Sequence, residues 1–355
     1  MSHTLNITAF FIGLGTAYYA LIACRLLCCG RQTATRLHKV LGCVFLYWVL
    51  SNTKDLFLTF PGRYCRSTLD LVMLIDGWSG IAYAALLFEI TRPGWANWRR
   101  LALLSLPFAA FSAAYFIHPN HGLMTAYAWF LSAFGLAVLL IGYYNAYKYT
   151  SYIRANYSNI DGIDISWVSY IYLLCFLGQL LWLLTSLVGN VWMDCLYYSV
   201  TIALWHMMYL HCRNLRPVVP DEAGNVEEED ACAAATTEKS YAFAESVDAT
   251  MERGRLWLDP NLSLNDLARK LHTNRTYLSN YFSNTRKTTF YDYVNALRIE
   301  KESVPLVSNH PEYTLEYIAR QSGFNSLSTF RRAFRKFTGH TPGHFRDNGA
   351  EKAKE

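Results

Sequence analysis

The stretch from Thr314 to Arg346 reads TLEYIARQSGFNSLSTFRRAFRKFTGHTPGHFR. Its apolar residues repeat with a helical period in two short runs, and Gly323 lies between the runs, where it can adopt a positive φ at little cost. Ser326 is placed to cap the second helix. Four cations fall outside the apolar stripe of the second run: Arg331, Arg332, Arg335 and Lys336. A short helix, a glycine turn and a basic second helix are typical of a helix-turn-helix, whose second helix fits the major groove of DNA.

The same pattern occurs upstream in Ser263–Tyr293, which reads SLNDLARKLHTNRTYLSNYFSNTRKTTFYDY. Three pairs of equivalent residues set the register, at an offset of 51 or 52: Leu264 with Leu315, Ala268 with Ala319, and Phe282 with Phe334. An internal duplication in a shared register predicts two helix-turn-helix units in tandem. Without that duplication, the second copy would fit equally well a small helical domain with a solvated basic face.

Several short groups of residues form a recognisable series. They are Ile318-Ala319, Gly323-Phe324, Ser326 through Phe334, Lys336, Gly339, Thr341-Pro342 and Phe345-Arg346, preceded by Tyr293-Val294-Asn295 and Leu297-Arg298-Ile299. At these positions the chain resembles the DNA-binding domain of AraC/XylS-type transcription regulators, and the resemblance covers about residues 245–346. One departure is Lys287, which stands where the second copy has Gly339. If that position needs a positive φ, lysine costs about 1 kcal/mol there.

The resemblance implies that the second helix of each copy enters the major groove, on one face of the duplex. Base-reading residues are then expected in both helices: Arg275, Thr276, Ser279 and Asn280 in the first, and Leu327, Ser328, Arg331 and Arg332 in the second. Arginine can pair with guanine and asparagine with adenine through two hydrogen bonds. Arg335, Lys336 and Asn274 are expected to contact phosphate. Residues 241–355 carry 17 Lys+Arg against 13 Asp+Glu, so the binding face depends on local concentration of charge.

The rest of the chain has a different composition. Residues 1–212 are apolar and aromatic, and the chain becomes polar after Pro217. We therefore predict an all-α protein with four parts: a polytopic transmembrane domain at 1–212, an acidic flexible linker at 213–240, an AraC-type DNA-binding domain at 241–349 and a disordered tail at 350–355. The linker has six acidic residues within 221–230. Such a run is typical of a solvated linker, although it could also mask the basic face.

The apolar part predicts about seven membrane spans of 17–25 residues, with six or eight as alternatives. They are placed near 5–29, 38–60, 69–91, 100–117, 122–147, 165–188 and 191–212. A cytoplasmic DNA-binding domain then puts the N-terminus outside. The loops on the inner side carry ten Lys and Arg and those on the outer side carry two. This bias agrees with the positive-inside rule and predicts a multi-pass protein of the bacterial inner (cell) membrane.

Ionisable residues inside spans are costly in hydrocarbon and usually face a partner or a cavity. Residues of this kind, with polar and aromatic neighbours, are expected in the outer half of the membrane: Lys54, Asp55, Asp76, Gln179, Trp182 and Asn190. Together they predict a sensor pocket open to the outside. The alternative is an ion pair of Lys54 with Asp55 or Asp76 that only fixes helix packing. Near the outer surface, Cys65 and Cys195 are candidates for a disulfide.

The apolar half contains no enzyme motif of the zinc-protease, serine-hydrolase or P-loop type, and neither a cofactor nor a metal is expected. The features favour a membrane-embedded one-component transcription regulator whose partners are double-stranded DNA, membrane lipid and an unknown small-molecule or membrane signal. A homodimer is also left open. The alternatives are a transporter or a membrane enzyme with a DNA-binding tail, and a bundle that is only a passive anchor.

Overall fold

The structure is a computed structural model, and it describes residues 2–29, 35–58, 66–188, 191–216, 218 and 243–352. Within these ranges every regular element is a helix, in agreement with the all-α prediction. A single bridge of β type joins Tyr157 to Ser263. The acidic run of the predicted linker lies outside the described residues, as do Asn190 and Cys65.

The chain divides into two compact units. Unit 1 comprises Met1–Tyr149 and Ile165–Val219, and unit 2 comprises Thr150–Asp164 and Pro220–Glu355. The segment Thr150–Asp164, which we call the strap, therefore folds with the C-terminal residues although it lies in the apolar half of the sequence. The domain boundaries predicted at residues 212 and 241 did not place any part of residues 1–212 with the C-terminal domain.

Unit 1 is built from long helices. They are α1 (Ser2–Cys24, continued by a π-helical turn at Arg25–Cys29), α2 (Arg36–Leu58), α3 (Arg66–Gly77), α4 (Ser79–Thr91), α5 (Trp98–Ile117), α6 (His121–Asn156), α7 (Val168–Val188) and α8 (Val191–Cys212). Helix α1 packs on α2 and α8, and α2 also packs on α4. Helix α6 runs through the boundary at Tyr149, so its last residues belong to the strap.

Five helical segments of the described chain are long and apolar enough to cross a membrane, rather than the seven predicted. They are Ile7–Cys28, Asp70–Thr91, Trp98–Ile117, His121–Asn156 and Val168–Thr185. The other two predicted spans correspond to α2 and α8, which have 23 and 22 residues and so are long enough. These two helices are not apolar enough, because α2 contains Lys54 and Asp55 while α8 contains Asp194 and two histidines.

A buried carboxylate lies at the end of α4. The Glu89 side chain is 1% exposed and accepts hydrogen bonds from the backbone N–H groups of Gly94 (2.9 Å) and Ala96 (2.8 Å). The Arg36 guanidinium lies 3.0 Å from the same carboxylate. Buried charge is tolerated when it is paired and hydrogen-bonded, so Glu89 fixes the turn after α4 to the start of α2. Sequence reasoning had not singled out this residue.

The C-terminal part of unit 2 contains shorter helices. They are α9 (Ala244–Gly254), α10 (Leu264–Lys270), α11 (Arg275–Asn280, continued by a π-helical turn at Tyr281–Thr285), α12 (Phe290–Leu297, continued at Arg298–Ser303), α13 (Val304–Asn309), α14 (Leu315–Gln321), α15 (Leu327–Thr338) and α16 (Pro342–Lys352), with a 3₁₀ turn at Leu256–Leu258.

The predicted duplication has a structural counterpart, because unit 2 contains two hydrophobic cores. Phe282 (2% exposed) lies in the first core and its equivalent Phe334 (0%) lies in the second. Ala268 and Ala319 are likewise buried, one in each core. Helix α12 and its continuation contribute to both, with Val294 in the first core and Ile299 in the second. Each copy of the sequence repeat therefore forms its own helix-turn-helix around its own core.

Candidate nucleic-acid interface

Side-chain caps determine where the helices of each copy begin. In the first copy Ser263 and Asp266 form a reciprocal capping box at the start of α10, and Asn274 Oδ1 accepts from the Thr276 N–H at the start of α11. In the second copy Thr314 caps α14 and Ser326 caps α15. Such caps satisfy N–H groups that a helix leaves unpaired and each contributes about 1 kcal/mol.

The turns of the two copies use the same backbone conformation at equivalent positions. Gly323 has φ 83° and His272 has φ 52°, while Gly339 has φ 78° and Lys287 has φ 53°. The conditional expectation for Lys287 is therefore met, since the position does adopt a positive φ. Non-glycine residues pay about 1–2 kcal/mol in this region, so the first copy carries strain at two places where the second has glycine.

The end of the first copy is fixed by charged contacts next to Lys287. Arg286 Nε donates to the Tyr281 hydroxyl at 2.7 Å, and its guanidinium pairs with Asp248 of α9. Tyr293 also donates to Asp248, at 2.6 Å. Burial favours a higher pKa for the Asp248 carboxyl, but the hydrogen bonds from Tyr293 and Arg286 hold that pKa below its usual value. These contacts are positioned to keep the strained turn in place.

Helix α15 presents a basic face. Its phenylalanines Phe330 and Phe334 are fully buried, which leaves the predicted cations on the opposite side. An open groove of about 490 Å³ is lined by Arg331, Arg332, Arg335, Lys336 and Thr341. Clustered guanidinium and ammonium groups in such a groove suit a phosphate backbone.

The predicted residues of α15 have different surroundings. Ser328, Arg331 and Arg335 are exposed, whereas Leu327 packs against the second core. Lys336 Nζ lies 2.6 Å from the Asp292 carboxylate of α12, so phosphate would have to compete with that pair. Arg332 Nη1 lies 3.8 Å from the Asp164 carboxylate. The structure thus gathers these side chains on one helix, and their predicted roles toward bases and phosphates stay predictions.

The predicted residues of α11 are less accessible. Thr276, Ser279 and Asn280 are half-buried, and the Arg275 guanidinium lies over the Tyr152 ring, 5.6 Å from its centroid. Tyr277 is 39% exposed on the same short helix. Sequence reasoning missed Tyr277, although its place between Thr276 and Ser279 in a recognition helix was a usable signal.

The strap lies against both helix-turn-helix copies. Thr329 Oγ1 of α15 donates to Asp161 Oδ1 at 2.6 Å, next to the Arg332–Asp164 pair. At the other copy, the Ser158 hydroxyl donates to the Leu262 carbonyl at 2.6 Å. Ile160 is fully buried. Residues expected to read bases are therefore in contact with the segment that precedes α7.

A buried arginine lies at the centre of unit 2. The Arg298 side chain is 1% exposed and donates to the carbonyls of Trp257 (2.7 Å), Asp259 (2.8 Å) and Ser158 (3.0 Å). It also donates to the side-chain oxygens of Asn295 and Ser158. Burial lowers the pKa of the guanidinium to about 10, which leaves it charged at neutral pH. This charge ties α12, the segment before α10 and the strap together.

In unit 1 the predicted sensor residues form more than one group. Lys54 pairs with both Asp55 and Asp76, the latter at 2.8 Å, and Tyr198 donates to Asp55 at 3.1 Å. Gln179 instead donates to the Leu131 carbonyl at 2.6 Å. It lines a cavity of about 20 Å³, room for about one water molecule.

Trp182 packs beside a cluster of buried residues around Phe108 and Tyr127. Asn190 lies outside the described residues. A single pocket formed by all these side chains stays a prediction, and the ion-pair geometry is the part that the structure describes.

Comparison with known proteins identifies the C-terminal domain. A family model described as a helix-turn-helix domain matches residues 267–348, and this match supports the AraC-type resemblance. The chain is 33% identical over 86 residues to an uncharacterized HTH-type transcriptional regulator of Staphylococcus aureus (strain COL), covering 24% of this chain and 11% of that protein. It is 31% identical over 86 residues to the Msm operon regulatory protein of Streptococcus mutans, covering 24% and 30%.

A further relative is the uncharacterized HTH-type transcriptional regulator YtdP of Bacillus subtilis, 31% identical over 88 residues, which are 25% of this chain and 11% of that protein. The matched stretch thus spans less than a third of any of these relatives. Their names describe transcription regulators, in agreement with the expectation of a regulator rather than an enzyme. No solved structure matches the chain.

The two glycine turns give a matched test of how the second copy folds. A Cβ on Gly323 would lie 2.7 Å from the Trp257 carbonyl oxygen, whereas a Cβ on Gly339 meets nothing within 4 Å. Gly339→Ala should therefore cost about 1 kcal/mol of unfolding free energy, from φ alone, and Gly323→Ala should cost clearly more. Chemical denaturation of the detergent-solubilised protein measures both. Equal losses would contradict the described approach of Gly323 to Trp257.

Proposed function

We propose that the protein is a membrane-embedded one-component transcription regulator that binds double-stranded DNA in the cytoplasm with its AraC-type domain. The observation that carries the proposal is the exposed basic face of α15, with Arg331 and Arg335 beside an open groove. It lies in the stretch matched by the helix-turn-helix model. The regulator names of the relatives support the same function.

The membrane part of the proposal rests on the five apolar helical segments, which meet the length and composition of membrane spans. The loops predicted on the inner side carry most of the Lys and Arg residues, and this bias favours a cytoplasmic DNA-binding domain. We propose that unit 1 senses a small-molecule or membrane signal and that lipid surrounds it. A homodimer would place two DNA-binding domains on adjacent half-sites, as in many regulators with this type of motif.

DNA recognition is tested by separating base reading from phosphate contact. Arg331→Ala should weaken binding to specific promoters by about 1–3 kcal/mol and broaden the sequence preference, because the arginine is placed to read a base. Arg335→Ala should weaken binding to all sequences alike. Genome-wide occupancy of each variant, expressed at equal level, measures both effects.

The control for this experiment is Arg320→Ala. This residue is an exposed cation of α14 that pairs with Glu316, and its loss should leave the occupancy profile unchanged. If the intact protein occupies no specific sites, the regulator proposal is wrong. If Arg331→Ala behaves like Arg320→Ala, the assignment of α15 as a reading helix is wrong.

The sensor role is tested at the ion triad of Lys54, Asp55 and Asp76. Asp76→Asn removes one charge from this triad and should change transcription from the occupied promoters while the protein stays in the membrane fraction. Asp70→Asn is the matched control, since Asp70 lies on the same helix and accepts from Tyr115 instead. Identical transcript profiles for intact protein and Asp76→Asn would favour a passive anchor.

A further inference from the structure

The two strap residues that contact α15 carry negative charge. Asp161 accepts the hydrogen bond of Thr329 at 2.6 Å, and Asp164 lies 3.8 Å from Arg332. Both contacts fall in the first two turns of α15, where a helix of this motif meets base edges. A carboxylate in that position repels the phosphates of an approaching duplex and pairs with the arginine that is expected to bind DNA.

The strap also reaches the other copy. Tyr152 lies under the Arg275 guanidinium at 5.6 Å, and Arg275 is among the residues expected to read bases in α11. Arg154 lies 6.0 Å from the ring centroid of Tyr291 at the start of α12. One continuous segment therefore engages an expected base-reading arginine in each helix-turn-helix.

The strap is anchored independently of these contacts. Ser158 supplies two of the five acceptors of the buried Arg298 guanidinium, and its N–H donates to the Leu262 carbonyl at 3.2 Å. Ile153 and Ile160 are fully buried. Because the strap is anchored in this way, Asp161 and Asp164 stay next to α15 even without strong bonds to it. Double-stranded DNA that competes for α15 therefore has to displace the whole strap.

Part of the basic surface stays accessible. Arg331, expected to read a base, and Arg335, expected to contact phosphate, are exposed and line the open groove, so a duplex can meet both cations while the strap is docked. The Arg332 side chain is 55% exposed but lies 3.8 Å from the Asp164 carboxylate, so reading of a base by Arg332 has to displace that carboxylate. The docked strap thus leaves Arg331 and Arg335 accessible and engages Arg332.

We propose that the strap is an autoinhibitory element that competes with double-stranded DNA for the reading helices α11 and α15. The proposal rests on the DNA-binding function proposed above. The strap includes the last residues of the candidate membrane segment His121–Asn156 and leads along the chain toward the segment Val168–Thr185, so a signal received by unit 1 can reach the reading helices through the strap itself. Release of the strap frees Arg275 and Arg332 for DNA.

The test uses the full chain in lipid nanodiscs and a promoter fragment recovered by the occupancy profile. Ile160→Ala removes buried apolar surface from the strap without changing any charge. It should raise the DNA affinity about tenfold, the factor expected if the strap is docked about 90% of the time. Asp161→Asn combined with Asp164→Asn should raise the affinity as well.

Two controls separate release of the strap from other effects. Val307→Ala removes apolar volume at a position in the second core that is as buried as Ile160, and it should not raise the DNA affinity. Glu312→Gln combined with Glu316→Gln removes two exposed charges from the same copy and should raise it less than the aspartate pair does.

If the intact chain binds the promoter fragment and neither strap variant binds it more tightly than its control does, the strap proposal is overturned and the regulator proposal stands. Absence of specific binding by every variant and by the intact chain would overturn both.

Discussion

The charge of Arg298 is the constraint on which unit 2 depends. A guanidinium that is 1% exposed is destabilising unless nearly all of its donors are satisfied. Its partners come from two segments distant in sequence, the turn around Trp257 and Asp259 and Ser158 of the strap, and from Asn295 one turn earlier along α12. The Phe324 ring of the second copy lies 5.4 Å from the same group. Both helix-turn-helix copies and the strap are thereby held around one buried cation.

Competition between strap and DNA follows from this arrangement through linkage. If the strap and a duplex cannot occupy α15 together, then a signal that loosens the strap strengthens DNA binding, and DNA binding loosens the strap by the same factor. The coupling requires no contact other than those within unit 2. It differs from the masking role considered for the acidic run at 221–230, since the residues concerned are Asp161 and Asp164.

The sequence predicted the elements whose causes are local. Helical periodicity, caps such as Ser326 and the glycine at position 323 depend on neighbouring residues, so the second helix-turn-helix was predictable in detail. The number of spans was overestimated, because α2 and α8 are long enough to cross a membrane but their polar residues, such as Lys54 and Asp55 of α2, make them less apolar than the five segments. Hydropathy cannot register that Lys54 pairs with Asp76 of another helix.

The contacts of the strap were beyond sequence reasoning for a different reason. Ser158 and Leu262 are 104 positions apart, and Asp161 and Thr329 are 168 apart. Neither pair has a periodic or spacing signal, since both depend on how the chain folds over long distances. Asn274 is a local case, since its side-chain oxygen caps α11 by accepting from the Thr276 N–H two residues on, and its expected contact with phosphate stays a prediction.

The most direct test of the account is hydrogen exchange of the strap in the full chain, with and without a promoter fragment that the protein occupies. In the free protein the Ser158 amide is hydrogen-bonded to Leu262 and should exchange slowly. If DNA and the strap compete, saturating DNA should accelerate exchange across residues 150–164 while it slows exchange in α15. Slow exchange of the strap in both states, with α15 protected by DNA, would contradict the account.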